Sequence, residues 1–230
     1  MTRRLGILGG MFDPVHFGHL DAAEAARAAL GLHEVLFMPS RDPPHRPAAP
    51  HATGLHRLAL VSLAINDVHA ARVSDLELRR SGISYASDSL RTLHADGWAR
   101  EQIFFILGAD AFAEIATWHE LPFVLDATNF AVIARPGTTI EEALTRIPEL
   151  RSRTRQVSAA ACTSDSTGVF LVEATTRDVS STLIRQRIAG GQPIGDLVPA
   201  AVARYIAEHN LYRTEDALHG HYEDNKNENR

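Results

Sequence analysis

The sequence predicts an α/β fold built on a doubly wound parallel sheet. Short apolar runs alternate with segments of helical periodicity along most of the 230 residues, a pattern typical of strands joined through helices. Glycine or proline closes the clearest of these runs, as expected where strands end. Hydrophobic residues make up 45% of the chain and charged residues 22%, so the composition suits a globular enzyme with one sizeable core.

The apolar runs and the periodic segments set the expected elements. Strands are expected at residues 4–8, 35–38, 71–76, 103–107, 130–134 and 169–172. Helices are expected at residues 18–30, 55–65, 85–95, 181–189 and 199–210. Gly31 should end the first helix, because glycine is common just beyond a last helical turn. Residues 148–168 have no clear pattern and are assigned no role. Ligands of such a sheet bind outside the carboxyl ends of its strands.

Composition also limits the partners and the compartment. The net charge of −5 argues against binding to nucleic acid, and no apolar run approaches the ~20 residues of a membrane helix. Cys162 is the only cysteine and lies among small residues, so we interpret it as a loop residue rather than a catalytic thiol. We expect a cytoplasmic protein with one domain over residues 1–213 and a polar, disordered tail over 214–230. The oligomeric state stays open, with a homo-oligomer as one alternative.

The segment Gly9–His19 joins the first predicted strand to the first predicted helix. Its two leading glycines let the backbone approach a ligand closely, and the helix N-terminus favours phosphate. His16 and His19 would share one helical face, where imidazole N–H groups can donate to phosphate oxygens, more strongly when protonated. A tight loop with structural histidines is an alternative. A metal pair is another, with Asp13 as the third ligand.

This segment resembles the hallmark of the nucleotidyltransferase superfamily, Gly-Gly-x-Phe-Asp-Pro-x-His-x-Gly-His, at every signature position. The resemblance implies a Rossmann-like nucleotidyltransferase fold. It also implies that the two histidines bind the ATP phosphates and stabilise the transition state. The ATP-binding positions that it assigns here are Gly9, Gly10, Met11, Phe12, His16 and His19.

A second phosphate-binding candidate lies far along the chain, at Val179–Arg187. Its hydroxyls suit a simple helix cap, but together with free N–H groups and an arginine they can also hold phosphate. The run resembles the superfamily's second motif, Ile-Ser-Ser-Thr-x-Ile-Arg. There the hydroxyls and the arginine hold the β- and γ-phosphates, and the resemblance gives that role to Ser181, Thr182 and Arg185.

Two further segments resemble nicotinate-nucleotide adenylyltransferases. Residues 39–46 are similar to the loop Pro-x-x-x-Pro-Pro-His-Lys, with Arg46 in place of the lysine. This similarity assigns Arg46 to the departing pyrophosphate and His45 to substrate binding near the phosphates; a mobile proline loop is the alternative. Residues 75–86 are similar to Asp-x-Glu-x-x-Arg-x-Gly-x-Ser-Tyr-Thr, whose last backbone groups meet the nicotinate carboxylate. That role falls on Tyr85 and Ala86, although Ala86 lacks the hydroxyl of the family's threonine.

Of the remaining family positions, two follow predicted strands and one lies at a helix end. Gly108 and Asp110 match the family's Gly-Ala-Asp, which implies an ATP site with a hydrogen bond from a ribose hydroxyl to Asp110; an N-cap aspartate is the alternative. Trp118 and His119 match the segment whose tryptophan stacks on the pyridine ring, with a core tryptophan as the alternative. Arg135 either approaches the nicotinate carboxylate or anchors its loop.

The resemblance implies transfer of AMP from ATP to nicotinate mononucleotide. Mg²⁺ would arrive on the ATP phosphates, and no metal site on the protein is expected. The catalytic set is His16, His19, Arg46 and Arg185. The alternatives are a related adenylyltransferase that uses nicotinamide mononucleotide or phosphopantetheine, and an ATP-binding sensor without turnover. Neither a nucleic acid nor a membrane is an expected partner.

Overall fold

A computed structural model describes residues 3–42, 44, 49–134, 140–157 and 167–213. Within these ranges seven strands form one sheet. They are β1 (Leu5–Gly10), β2 (Glu34–Pro39), β3 (Ala71–Val73), β4 (Ile103–Gly108), β5 (Asn129–Ala134), β6 (Thr154–Gln156) and β7 (Val169–Glu173). Every pair is parallel, and the spatial order is β3-β2-β1-β4-β5-β7-β6. The order changes direction between β1 and β4, so a ligand crevice is expected at their carboxyl ends.

The helices connect these strands across both faces of the sheet. In chain order they are α1 (Phe17–Leu30), α2 (Gly54–Ile65), α3 (Leu76–Arg79), α4 (Ala86–Ala95), α5 (Ala109–Ala113), α6 (Leu121–Ala127), α7 (Glu141–Arg146), α8 (Leu150–Arg153), α9 (Ser181–Ala189) and α10 (Ala200–Glu208). Short 3₁₀ turns lie at Arg100–Gln102 and Ile115–Thr117. No helix of the described ranges has the length and apolarity needed to cross a membrane.

Strand β4 contributes side chains to two apolar clusters, one on each face of the sheet. Phe104 and Ile106 join the apolar cluster that α1, α2 and α10 cover. Ile103, Phe105 and Leu107 join the cluster on the other face, which α4, α6 and α7 cover. Successive side chains of a strand point to opposite faces, so a continuous apolar run requires cover on both sides. The predicted α/β fold with a doubly wound parallel sheet is therefore confirmed.

Most predicted elements occur with ends shifted by no more than two residues. Gly31 adopts the left-handed backbone (φ 60°, ψ 43°) that ends α1, as predicted. The strand predicted over 71–76 is wrong in its second half. Here β3 is an edge strand and ends at Val73, after which the Ser74 hydroxyl accepts a hydrogen bond from the Leu76 N–H and the chain turns into α3.

The sequence pattern also missed the opposite edge of the sheet. The helix α8 and the strand β6 lie within the stretch 148–168, to which no pattern was assigned. β6 has three residues and, among the described strands, pairs only with β7, so it is too short to establish an alternation of its own. The predictions for Cys162 and for the tail 214–230 lie outside the described residues.

Candidate active site

The turn after β1 directs the chain from the sheet into α1. Phe12 has φ 49°, in the left-handed region that favours glycine, and its side chain is 2% exposed. Its ring packs edge-on against His19, with 5.0 Å between ring centroids, and tilted against Phe37. The Phe12 ring is part of the core, so only the Phe12 backbone could make the predicted contact with ATP.

The two predicted catalytic histidines lie face to face. The rings of His16 and His19 stack with centroids 3.7 Å apart, and the His16 backbone N–H donates to His19 Nδ1 at 3.2 Å. Since Nδ1 of His19 accepts, the neutral ring carries its proton on Nε2. Nδ1 of His16 is buried without a hydrogen-bond partner among the described residues. A buried polar atom without a hydrogen-bond partner lowers the stability of the folded chain, and such atoms are found at functional sites.

Burial makes both imidazoles weak bases. It lowers the pKa of His16 to about 4, although the nearby Asp21 carboxylate opposes the shift. Burial and the adjacent His16 lower the pKa of His19 well below its usual value. Near neutral pH both rings are therefore neutral donors, and the stronger protonated donor that the sequence suggested would arise when an anionic ligand raises these pKa values.

The depressed pKa of His16 predicts a loss of stability in mild acid. The unfolded chain binds a proton at this side chain near pH 6.5 and the folded chain only near pH 4, so the free energy of unfolding should fall between those values. His16 should account for about 3 kcal/mol of this fall in the free energy of unfolding, because each unit of pKa difference corresponds to ~1.36 kcal/mol. Urea unfolding at pH 7 and pH 4 should show a smaller drop for His16→Gln than for the wild type. Equal drops in both proteins would contradict the buried, neutral state of His16.

The second predicted motif lies directly against the first. Arg185 Nη1 donates to the Asp13 carbonyl oxygen at 2.7 Å, across 172 sequence positions, and Ser181 Oγ donates to the Pro14 carbonyl oxygen at 2.8 Å. Ser180 caps α9 by accepting a hydrogen bond from the Leu183 N–H at 3.2 Å. These contacts place the first turn of α9 against residues 13 and 14, just before α1, so the two helix N-termini lie close together, as two halves of a phosphate site would.

These contacts distinguish the two hydroxyls assigned to phosphate. Ser181 has one hydroxyl hydrogen, which is donated to Pro14. Thr182 Oγ1 accepts from Arg185 Nη2 at 3.2 Å, so the hydrogen of the Thr182 hydroxyl remains for a ligand. Arg185 uses two of its five N–H groups in these bonds and keeps the others. In this geometry Thr182 and Arg185 can donate to phosphate through their side chains, and Ser181 through its backbone.

Gly18 allows this close approach. A Cβ at this position would lie 3.2 Å from Val179 Cγ1 and 3.3 Å from the Arg177 carbonyl oxygen. Beside it, Arg177 makes a bidentate ion pair with Asp21 at 2.7 Å and 2.9 Å. The sequence assigned no role to Arg177 or Asp21, yet they join α1 to the segment that leads into α9.

The Asp13 carboxylate is buried in a polar network that the sequence did not indicate. Asp13 is 1% exposed and accepts hydrogen bonds from the backbone N–H groups of His51 (2.7 Å) and Ala52 (3.0 Å). The Tyr212 hydroxyl donates to the same carboxylate at 2.9 Å. With these bonds in place, Asp13 is not free to act as the third metal ligand beside His16 and His19.

Arg57 is the second buried polar residue that holds this region. It is 1% exposed, and its guanidinium donates to the carbonyl oxygens of Met11 (2.7 Å), Ser40 (2.7 Å) and Ala52 (3.2 Å). A signal for this role was present in the sequence. Arg57 precedes Leu60 by three positions, and so lies on the apolar face of α2 rather than on its polar face.

A cavity of about 600 Å³ extends from the glycine turn after β1 to the region around Trp118. Its walls are Gly9, Gly10, Ser40, Pro44, Glu77, Ser84, Tyr85, Ala86, Phe105, Leu107, Ala111, Glu114, Thr117, Trp118 and His119. Four predicted substrate-binding residues, Tyr85, Ala86, Trp118 and His119, thus line one space with the two glycines. His16, His19 and α9 lie outside its lining.

Two aromatic contacts shape the far end of this cavity. Tyr85 stacks on His119, with ring centroids 4.2 Å apart. Trp118 is partly exposed and packs edge-on against Phe105 at 5.4 Å and against Phe130 at 6.4 Å. The core fixes one edge of the indole while the ring still borders the cavity, which makes it a rigid stacking surface.

The N-terminus of α4 opens onto the same cavity at Tyr85 and Ala86. The side chain of Tyr85, at the N-cap position of this ten-residue helix, makes no capping hydrogen bond. The first N–H groups of a helix have no partner within the helix, and together with the helix dipole they favour an anion. The loss of the threonine hydroxyl at Ala86 leaves this backbone donor set unchanged.

The end of β4 carries the predicted ribose site. Gly108 and Asp110 are exposed there, beside β1 and at the change of strand direction. Gly108 is the N-cap of α5, so the interpretation of Asp110 as an N-cap is wrong. No described residue bonds to the Asp110 carboxylate, which remains available to a hydroxyl. The predictions for His45, Arg46 and Arg135 lie outside the described residues.

The amino-acid sequence matches known proteins over most of its length. The model of the family described as Cytidylyltransferase-like matches residues 7–187. A probable nicotinate-nucleotide adenylyltransferase from Trichlorobacter lovleyi is 39% identical over 215 residues, which cover 91% of this chain and 99% of the relative. A protein of the same name from Symbiobacterium thermophilum is 40% identical over 209 residues, covering 91% of this chain and 95% of the relative.

Solved structures give the same fold at lower sequence identity. Nicotinic acid mononucleotide adenylyltransferase of Plasmodium falciparum, complexed with NaAD, superposes with a TM-score of 0.69 at 20% identity, over 92% of this chain and 98% of that one. A putative nicotinate-nucleotide adenylyltransferase from Vibrio parahaemolyticus superposes with a TM-score of 0.57 at 18% identity, over 92% and 96%. These superpositions confirm the Rossmann-like nucleotidyltransferase fold. By its sequence, the chain belongs to the nicotinate-nucleotide adenylyltransferase family of the cytidylyltransferase-like proteins.

Proposed function

We propose that this protein transfers AMP from ATP to nicotinate mononucleotide, producing deamido-NAD and pyrophosphate. The observation that carries the proposal is the direct contact between Arg185 and Asp13, which brings two distant phosphate-binding motifs together at the mouth of the sheet. The curated relatives carry the name of this activity, and solved structures of the Plasmodium falciparum enzyme are complexed with NaAD and with APC. The cavity next to the glycine turn supplies space for the acceptor.

The reaction is an in-line displacement at the α-phosphorus of ATP. An oxygen of the acceptor's 5′-phosphate forms a bond to this phosphorus, and the bond to the bridging oxygen of pyrophosphate breaks and leaves its electron pair there. The attacking phosphate is already ionised near neutral pH, so a general base is not required. Catalysis then depends on the placement of the reactants and on stabilisation of negative charge.

The paired histidines would face the α- and β-phosphates. His19 offers Nε2–H as a neutral donor, and the phosphates would raise the low pKa of both rings and strengthen their hydrogen bonds. Thr182 and Arg185 at α9, together with Arg46, would hold the pyrophosphate as it leaves. The substrate is the Mg²⁺ complex of ATP. Mg²⁺ keeps most of its waters and binds phosphate oxygens, which agrees with an Asp13 carboxylate already engaged by the protein.

The far end of the cavity fits the nicotinate ring. Trp118 would stack on the pyridine, and the N-terminus of α4 at Tyr85 and Ala86 would receive the carboxylate. A carboxylate accepts hydrogen bonds from several N–H groups and carries the charge that a helix N-terminus favours, whereas a carboxamide is neutral. This difference favours nicotinate over nicotinamide. We place the reaction in the cytoplasm, in agreement with the single cysteine.

A pyrophosphate-release assay across acceptors tests the proposal. The purified protein with MgATP is given nicotinate mononucleotide, nicotinamide mononucleotide or phosphopantetheine. The highest kcat/KM is expected with nicotinate mononucleotide, and the product should be identified as deamido-NAD by mass. A higher kcat/KM with another acceptor would identify that compound, rather than nicotinate mononucleotide, as the substrate. Binding of ATP without pyrophosphate release from any of the three would favour the sensor.

Trp118→Ala should weaken binding of the mononucleotide more than binding of ATP. Loss of a base–aromatic stack costs about 1–3 kcal/mol, so the KM for nicotinate mononucleotide should rise roughly 5- to 150-fold. Trp98→Ala is the matched control, because Trp98 is the other tryptophan, is also partly exposed, and contacts Arg3 away from the cavity. Steady-state kinetics with each substrate varied in turn would measure the effect. Equal increases of both KM values would rule out stacking by Trp118.

A further inference from the structure

We propose that Tyr212 is a positioning residue for adenylyl transfer, which acts by holding Asp13 where the two phosphate-binding motifs meet. The inference rests on the proposed function for its kinetic test but not for its structural one. Tyr212 does not line the cavity, and no sequence pattern marked it. The proposal depends on which groups Asp13 joins and on how the chain brings Tyr212 to it.

Asp13 accepts hydrogen bonds both through its side-chain carboxylate and through its backbone carbonyl. Its buried carboxylate receives the N–H groups of residues 51 and 52 and the hydroxyl of Tyr212, as described above. Its backbone carbonyl receives Arg185 Nη1 at 2.7 Å. The next carbonyl in the chain, that of Pro14, receives Ser181 Oγ at 2.8 Å. The placement of Asp13 therefore sets where α9 meets the first motif, and His16 follows three residues later.

The turn of the backbone after α10 places Tyr212 against Asp13. Asn210 (φ 50°) and Tyr212 (φ 65°) both adopt the left-handed conformation, which is common for asparagine just after a helix but costs a residue such as Tyr212 about 1–2 kcal/mol. The Leu211 N–H bonds to the Ile206 carbonyl oxygen at 3.0 Å, and Leu211 and Tyr212 pack against the apolar cluster that contains Phe12. Strain of this kind persists where surrounding contacts hold it, and it concentrates at functional sites.

The phenol is a constant donor in this arrangement. Burial and the adjacent Asp13 carboxylate raise the pKa of Tyr212, so the hydroxyl keeps its proton at all working pH values. A buried carboxylate that loses one of its donors must shift or recruit another group, because hydrogen bonds to charged groups are stronger than neutral ones. A shift of Asp13 moves the carbonyl that holds Arg185, and small displacements of catalytic groups have large effects on rate.

The kinetic test compares Tyr212→Phe with Tyr205→Phe. Both changes remove one partly buried hydroxyl in or just after the C-terminal helix, but Tyr205 bonds to His56 Nδ1 at 3.0 Å and does not touch Asp13. Tyr212→Phe should lower kcat about tenfold, with the KM for nicotinate mononucleotide unchanged, because the motifs lose alignment while the acceptor cavity stays intact. Tyr205→Phe should keep the wild-type kcat. Equal losses of kcat in both variants, or a wild-type kcat in Tyr212→Phe, would overturn the proposal.

The structural test uses hydrogen–deuterium exchange of the free protein. The amides of His51 and Ala52 donate to the Asp13 carboxylate, so they should exchange roughly fivefold faster in Tyr212→Phe than in the wild type or in Tyr205→Phe. Unchanged exchange at these amides would also overturn the proposal. This measurement needs no turnover. A wild-type protein that releases no pyrophosphate would therefore refute the proposed function, while the exchange rates alone would decide whether Tyr212 holds Asp13.

Discussion

His19→Ala is expected to lower kcat for pyrophosphate release about 10²- to 10³-fold, the usual effect of removing one donor from a developing negative charge. His19 Nδ1 already accepts from the His16 backbone, which leaves Nε2–H as the donor for a ligand. Alanine removes this donor and also the ring that stacks on His16 at 3.7 Å. Steady-state assays with saturating MgATP and nicotinate mononucleotide would measure the loss.

The fold should survive this substitution. His19 is partly exposed, and its loss removes ring contacts with Phe12 and His16 rather than a core side chain. We expect the melting temperature to fall by no more than about 2–4 °C, which corresponds to ~1 kcal/mol in a chain of this size. His69→Ala is the control, because His69 is exposed and lies outside the cavity and both motifs. A His19→Ala protein with a kcat within twofold of the wild type would remove His19 from the mechanism.

Arg57→Met is expected to reduce the free energy of unfolding by about 2–4 kcal/mol. Methionine can fill much of the same space and has a similar helix propensity, so the change mainly removes donors. The carbonyl oxygens of Met11, Ser40 and Ala52 would each lose the guanidinium hydrogen bond. Because Arg57 is 1% exposed, water does not readily take its place. Urea unfolding would measure the change.

Arg27→Met gives the matched comparison on α1. Arg27 pairs with Glu24 at 2.7 Å, but both side chains are exposed to water. Such pairs contribute little, so this change should lie within about 0.5 kcal/mol of the wild type. If Arg57→Met were no more destabilising than Arg27→Met, the guanidinium would not be what holds these loops together.

The regular elements could be predicted well because their signals are local. A strand buried on both faces, such as β4, needs an uninterrupted apolar run, and a helix end at Gly31 needs a residue that accepts positive φ. The errors came at the two edges of the sheet. The edge strands β3 and β6 have three residues each, so neither contains enough alternation to mark its limits.

The candidate site divides in the same way. The segments Gly9–His19 and Val179–Arg187 could be assigned from sequence, because each is a contiguous strand-to-helix or cap pattern. Their contact could not be derived from either one, since it depends on the carbonyls of residues 13 and 14 meeting a helix more than 160 positions later. The Ser181 hydroxyl illustrates the difference: the sequence assigned it to phosphate, whereas its neighbour in space is Pro14.

The sequence by itself determined the fold class, the family, and the residue types that we propose meet a triphosphate and a pyridine ring. Hydrophobic periodicity and short runs of glycine, histidine, serine and arginine predict these properties. Only the tertiary structure showed that Arg57 and Tyr212 hydrogen-bond to Met11 and Asp13 in the turn after β1, and that burial keeps both histidines neutral near pH 7. The physical reason is that burial and long-range hydrogen bonding set the energy of a polar group, and neither quantity exists until distant segments pack together.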